Sequence, residues 1–126
     1  MLCTPSERAL QAEQPTYHVP EYLQANGVQI VPVPVYFPEA TEILGEQVVR
    51  SVEEAGQPLD CVCVFRRPVD VPAHVPDLLA SRPKCVWLQL GIRSDESAEA
   101  LARAGILVVQ DKCLLLEHAA ARRTRR

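Results

Sequence analysis

No stretch of this sequence approaches the ~18 consecutive apolar residues that read as a membrane-spanning helix. The N-terminus lacks a basic segment followed by an apolar one, which argues against a secretory leader. Glu7 and Glu13 argue against an acid-poor transit peptide, so a cytoplasmic location is expected. None of the five cysteines falls at C-x-x-C spacing. The thiols of Cys61, Cys63 and Cys85 therefore read as buried and reduced. Cys61 and Cys63 would share one face of a strand, and two ligands alone do not complete a zinc site. The G-x-G-x-x-G fingerprint of a dinucleotide dehydrogenase is missing, and the first glycine is Gly27. A clustered basic face is missing too. Four of the 13 basic side chains lie in residues 122–126, leaving a body with nine basic against 16 acidic groups, a balance of −7. Such a body does not suit nucleic acid, and the basic end reads as a solvated tail.

What is present describes a globular α/β protein. A chain of 126 residues, 48% hydrophobic and 23% charged, is sized for one core. Three apolar runs each break into a polar turn: "DCVCVFRRP" (60–68), "KCVWLQLGIR" (84–93) and "ILVVQDKC" (106–113). Short, nearly unbroken runs are the mark of parallel strands covered on both faces. Ligands of such sheets lie beyond the carboxyl ends of the strands. Arg66, Arg67, Gln89, Gly91 and Asp111 follow those ends, so one rim gathers them.

Between the runs the pattern is helical. "SERALQAEQ" (6–14) predicts a short helix capped by Ser6, and residues 16–26 a helix with Pro20 in its first turn and Gly27 as its stop. Residues 28–33 predict a strand ended by Pro32 and Pro34. "EATEILG" predicts a helical turn closed by Gly45, and "EQVVRSV" a brief edge strand. Pro72 and Pro76 suit a helix that begins late and ends before Pro83. The clearest helix runs from a Ser94 cap, through Asp95 and Glu96, to Gly105. "CLLLEHAAARR" closes the chain with a last helix. Alternating strands and helices give a parallel α/β sheet with helices on both faces.

Each candidate group also has a plain structural role. Arg66 and Arg67 can pair with Asp60 or Asp70 on the surface. Trp87 is expected in the core rather than as a stacking platform. Lys112 could lower the pKa of Cys113 and make it reactive, but an inert cysteine at the start of the last helix is favoured. His118 reads as a helix-end histidine, and His18 and His74 have no visible partner. No nucleophile stands beside a convincing base, so catalysis is not expected.

The segments "YHVPEYLQANGVQIVPV", "EILGEQV", "VFRRP", "VWLQLGIR" and "VVQDKCLLLEH" agree in order and spacing with a known family. The chain resembles the single-domain CoA-binding proteins, relatives of the CoA-binding domain of the succinyl-CoA synthetase alpha subunit. The resemblance spans about Gln14 to His118. It implies a Rossmann-like sheet of order 3-2-1-4-5-6 with CoA or acyl-CoA bound, without catalysis, across the strand ends. It divides the chain into an irregular or short helical segment (1–15), the CoA-binding-like domain (16–118) and a basic tail (119–126). The resemblance implies ligand contacts from Thr16 and Tyr17 at the first helix, Val33 and Pro34 after the second strand, Phe65, Arg66 and Arg67, and Gln89 with Gly91. Two departures stand against it. Family members begin with a strand and a glycine turn where this chain has "MLCTPSERALQAE", and they tend to place Val-Asn-Pro where it has Val33-Pro34-Val35. The absent strand would be the central one. Each stripped, buried ladder group costs roughly 1–3 kcal/mol, against ~5–15 kcal/mol for a whole domain. Compensation would come from direct pairing of its neighbours, from residues 1–5, or from a second chain in a strand-exchanged homodimer; otherwise a chain so shortened would fold poorly. The alternative function is an interaction or structural protein that keeps the fold and has lost CoA. A redox role at Cys113 ranks third.

Overall fold

The computed structural model describes residues 15–33, 41–55 and 59–124, with 15–18 and 124 described by backbone alone. The predicted helix at 6–14, Pro34 and the first part of "EATEILG" lie outside these residues. Three parallel strands form the sheet: β3 (Cys61–Val64), β4 (Cys85–Leu88) and β5 (Leu107–Val109), in the order β3-β4-β5. Cys61 pairs with Cys85 and Val64 with Leu88, while Cys85 pairs with Leu107. These are the three apolar runs of the sequence.

Alternation along the strands feeds two cores. Val62, Val64, Val86 and Leu88 point to the face covered by α2 (Val75–Ser81) and α3 (Asp95–Arg103), where Leu78 and Leu101 are fully buried. Cys63 and Phe65 point to the other face. They pack with Val19, Leu23 and Ile30, against α1 (Pro15–Ala25) and α4 (Leu114–Thr124). The result is a three-layer α/β domain of Rossmann-like form, as the sequence pattern requires.

Several local expectations are corrected. Helix α1 begins at Pro15, so Pro20 lies inside it rather than in its first turn. Pro15 takes the first helical position, where the missing N–H is an orphan in any case. Gly27 ends the helix with φ +85°, as predicted. Residues 28–33 form no strand. Pro32 brings no N–H, its carbonyl accepts from Val49 N at 3.0 Å, and β4 is the only strand paired with β3 among the described residues. The segment is nonetheless core. Ile30 enters the α1/α4 cluster and Val33 the α2/α3 cluster.

Gly45 closes a hairpin and not a helical turn: β1 (Glu42–Ile43) pairs antiparallel with β2 (Glu46–Gln47). Leu44 and Gly45 take φ of 53° and 76°, the two left-handed residues of the turn whose twist suits a two-residue hairpin loop. Gln24 Nε2 donates to Leu44 O at 2.8 Å and ties this hairpin to α1. Ser94 stands at the N-cap of α3, but its hydroxyl bonds to Ser97 Oγ at 2.8 Å and not to a backbone amide. Helix α4 runs on to Thr124, which takes Arg122 and Arg123 into the helix and places His118 in its middle. There His118 Nδ1 hydrogen bonds to Tyr22 OH at 3.1 Å, the rings meeting edge to face, and Arg122 Nη1 donates to Asn26 Oδ1. These contacts fasten α4 to α1. Of the strand cysteines only Cys63 is fully buried; Cys61 and Cys85 are partly buried.

Candidate functional site

The carboxyl ends of the strands form the rim that the sequence anticipates. Gln89 N donates to Val64 O at 3.3 Å, which carries the β3–β4 ladder up to the rim. Phe65 is buried there. Beyond it Arg66 is nearly covered, its side chain 12% exposed, whereas Arg67 stands 75% exposed. Pro68 then starts a 3-10 segment that runs to His74. Proline fixes φ at the first turn of such a segment without losing a useful donor.

This segment turns Asp70 and His74 back onto the arginines. Arg67 Nε donates to Asp70 Oδ2 at 2.8 Å, and Arg66 Nη2 lies 3.8 Å from the same oxygen. The hydrogen bond from Arg67 holds the Asp70 carboxyl below the usual carboxylate range, with the charge of Arg66 adding to it. Arg66 Nε donates to His74 Nε2 at 3.1 Å. That bond needs a bare Nε2, so the imidazole is neutral. Burial lowers the His74 pKa, and the charge of Arg66 lowers it further. His74 has the partner that the sequence did not reveal. Asp60 is engaged by Lys84 at 3.3 Å at the opposite end of the strands.

The remaining rim residues are turned inward. Gln89 is 4% exposed. Its Oε1 accepts from Leu114 N at 3.2 Å and from the Cys63 thiol at 3.5 Å, and its Nε2 donates to Cys113 Sγ at 3.3 Å. It thus supplies an acceptor to one of the orphan amides at the start of α4. Gly91, at φ +83°, donates its N–H to Asp111 Oδ1 at 2.7 Å, and Asp111 N donates to Ile92 O. Ser94 N donates to Gln110 Oε1 at 2.7 Å. Trp87 Nε1 donates to Lys112 O at 2.7 Å, while its ring packs half-buried against the α1/α4 core. The loops after β4 and β5 are knitted to each other. Thr16 and Tyr17 lie in the first turn of α1, and Val33 is buried in the core. Rim geometry brings together Phe65 to Arg67, Gln89 to Gly91 and Asp111 to Cys113. Asp70, His74 and Gln110 complete it, and no spacing rule in the sequence marks them.

This arrangement offers two guanidinium groups on a rigid strand end, one covered and one open. Planar guanidinium donors suit phosphate oxygens, so the residues present fit an anionic nucleotide-like ligand at the end of β3. Gln89 and the Gly91 amide are already committed inside the protein and fit such a ligand less well.

A Rossmann-like α/β domain with a polar rim at its strand ends is the class that fold and site define. Residues 9–119 match the CoA binding domain family, and the chain belongs to that family. It is 31% identical over 107 residues to an uncharacterised protein, YneT, of Bacillus subtilis, covering 85% of this chain and 77% of that protein. A solved Thermus thermophilus protein is 42% identical with a TM-score of 0.83, covering 87% of this chain and 81% of its own. A hypothetical protein from Pyrococcus horikoshii has a TM-score of 0.82 at 24% identity, over 94% of this chain and 79% of its own. A dinucleotide-forming acetyl-coenzyme A synthetase of Ca. Korarchaeum cryptofilum shares the fold alone, at 13% identity and TM-score 0.66, over 86% of this chain and 25% of that one. Among the described residues no helix is long and apolar enough to cross a membrane.

Proposed function

We propose that this domain binds CoA or an acyl-CoA, without catalysis of its own, in the crevice at the carboxyl ends of β3, β4 and β5. The observation that carries the reading is the Arg66–Arg67 pair at the end of β3, in a chain of the CoA binding domain family. Arg67 would meet a phosphate from the open side, with Arg66 held beneath it by His74 and Asp70. Phe65, buried in the α1/α4 core, and Val33, buried in the α2/α3 core, would meet the ligand through their backbones, and Pro34, which lies outside the described residues, is the next contact along the chain in this reading. The amides of Thr16 and Tyr17 belong to the first turn of α1, where N–H groups and the helix dipole favour a pyrophosphate. Gln89 and Gly91 act in this reading by shaping the crevice and holding its loops. When bound, CoA would supply only a thiol or thioester; the chain's own residues bind and orient it.

One observation favours a second reading, an interaction protein that has lost the ligand. The rim amides of Gly91 and Ser94 are satisfied by Asp111 and Gln110. Calorimetric titration with CoA, beside a control with 3′-dephospho-CoA, separates the two. Saturable micromolar binding weakened in the control supports the first. Absence of heat from folded protein supports the second.

A further inference from the structure

At the amino end of the sheet, remote from the rim, two thiols face each other. Cys61 opens β3 and Cys85 opens β4, and the two are register partners across a parallel pair. Adjacent strands lie about 4.8 Å apart, within the ~4.4–6.8 Å Cα separation usual for disulfides. The two side chains leave the same sheet face. On that face the next pair in the row is Cys85 and Leu107, and Leu107 is 65% exposed. Solvent therefore reaches the row that holds both thiols. Neither cysteine is fully buried, unlike Cys63 two residues on, which is covered and bonded to Gln89. Asp60 and Lys84, the residues just before the two cysteines, form an exposed ion pair at 3.3 Å across the same two strand starts.

We infer that Cys61 and Cys85 form a dithiol that exchanges with low-molecular-weight disulfides and closes an intrachain bond across the amino ends of β3 and β4. The Cys85 thiolate attacks one sulfur of the disulfide RSSR, forming a mixed disulfide on Cys85 and releasing the first RS⁻. Cys61, losing its proton, then attacks the Cys85 sulfur and releases the second. The protein dithiol is oxidised by two electrons, RSSR is reduced to two RSH, and the two thiol protons end on the released thiols. The order of attack follows from the thiol–thiol hydrogen bond. It pushes the Cys61 thiol up and brings Cys85 down to about 7, so Cys85 carries the thiolate near neutral pH. The remaining described cysteines do not offer this arrangement. Cys63 is buried, and the Cys113 sulfur accepts from Gln89.

Full-length reduced protein is incubated under native conditions near neutral pH with oxidised glutathione, quenched in acid, alkylated and mapped by mass spectrometry. The expected product is a monomer with Cys61 joined to Cys85, fragmentation assigning the bond to Cys61 and not Cys63. Cys61→Ser should stop at the mixed disulfide, with glutathione on Cys85. Cys85→Ser should slow the consumption of oxidised glutathione at this pair at least about tenfold. A wild-type protein whose Cys61 and Cys85 stay reduced natively but react once denatured overturns the inference. So does a bond through Cys63 or between chains. Because the decisive mapping is done on wild-type protein, misfolding of a variant does not blunt it.

Discussion

Replacing Gln89 by Met tests whether the rim glutamine is an anchor or a ligand contact. The two side chains are close in volume, so packing around this buried position changes little. The Leu114 amide is what loses its partner, being one of the N-terminal donors of α4 for which the helix has no acceptor. A part-buried amide left unsatisfied costs ~1–3 kcal/mol. The Cys63 thiol and the Cys113 sulfur are a weak donor and a weak acceptor, so their loss adds little. With about 4 °C per kcal/mol for a chain of this size, Tm should fall by about 4–12 °C. Thermal unfolding followed by circular dichroism gives that number. Hydrogen exchange at Leu114 should quicken more than at Leu88, in the middle of the sheet. CoA affinity, measured well below the lowered Tm, should stay within about twofold, because no lost bond reaches solvent. A Tm within about 1 °C of wild type together with a tenfold weaker CoA complex would refute the anchoring argument. Gln89 would then be a direct contact.

Arg66→Ala with Arg67→Ala should weaken CoA binding at least about tenfold, since each charge-assisted bond is worth ~1.5–3 kcal/mol; isothermal titration of the double variant gives the ratio. The depressed pKa of His74 fixes the sign of a pH effect. Below the ordinary histidine value of 6.5 the unfolded chain takes up a proton that the folded one refuses, so stability falls with pH until the folded pKa is passed. Urea titrations at stepped pH should show this slope, and His74→Gln should flatten it. Leu101→Ala, at a fully buried position of α3, should cost ~2–5 kcal/mol in urea unfolding without changing the denaturant slope. Leu44→Asn should raise stability by ~0.5–1 kcal/mol in the same assay, because asparagine tolerates the left-handed backbone that leucine holds there at a cost.

The strands and the rim were legible because their signals are local. Three apolar runs ending in Arg66, Gln89 and Asp111 needed only the rule that covered parallel strands lack alternation. Gly27 and Gly105 announced helix ends that the structure places there, at φ +85° and +84°. The hairpin at Glu42–Gln47 was not legible, because Leu44 is an improbable occupant of a left-handed turn and hid the Leu44-Gly45 pair. The strand at 28–33 failed for the opposite reason. Its apolar content is real, and Ile30, Pro32 and Val33 are buried, but a strand is defined by a partner, and the local sequence carries no information about one. Resemblance pointed to the family and put forward the arginines as ligand contacts. It could not show that Gln89 is held on Leu114, because that bond joins residues 25 apart.

How binding energy would be spread over the rim follows from which donors are already used. A neutral backbone hydrogen bond to a ligand is worth ~0.5–1.5 kcal/mol net, and a charge-assisted one ~1.5–3 kcal/mol. Where a loop amide is bonded internally, as Gly91 is to Asp111 and Ser94 to Gln110, a ligand must break that bond to gain its own, and the net worth falls toward zero. The arginines differ. Arg67 meets Asp70 at an exposed position, where an ion pair is worth ~0–1 kcal/mol, so redirecting it to a phosphate costs little. Affinity in this chain should therefore concentrate at the end of β3 and be sensitive to salt, instead of being shared among loop amides. That distribution is also the one that tolerates a proline at position 34: a site that leans on guanidinium groups loses little when one backbone donor is gone.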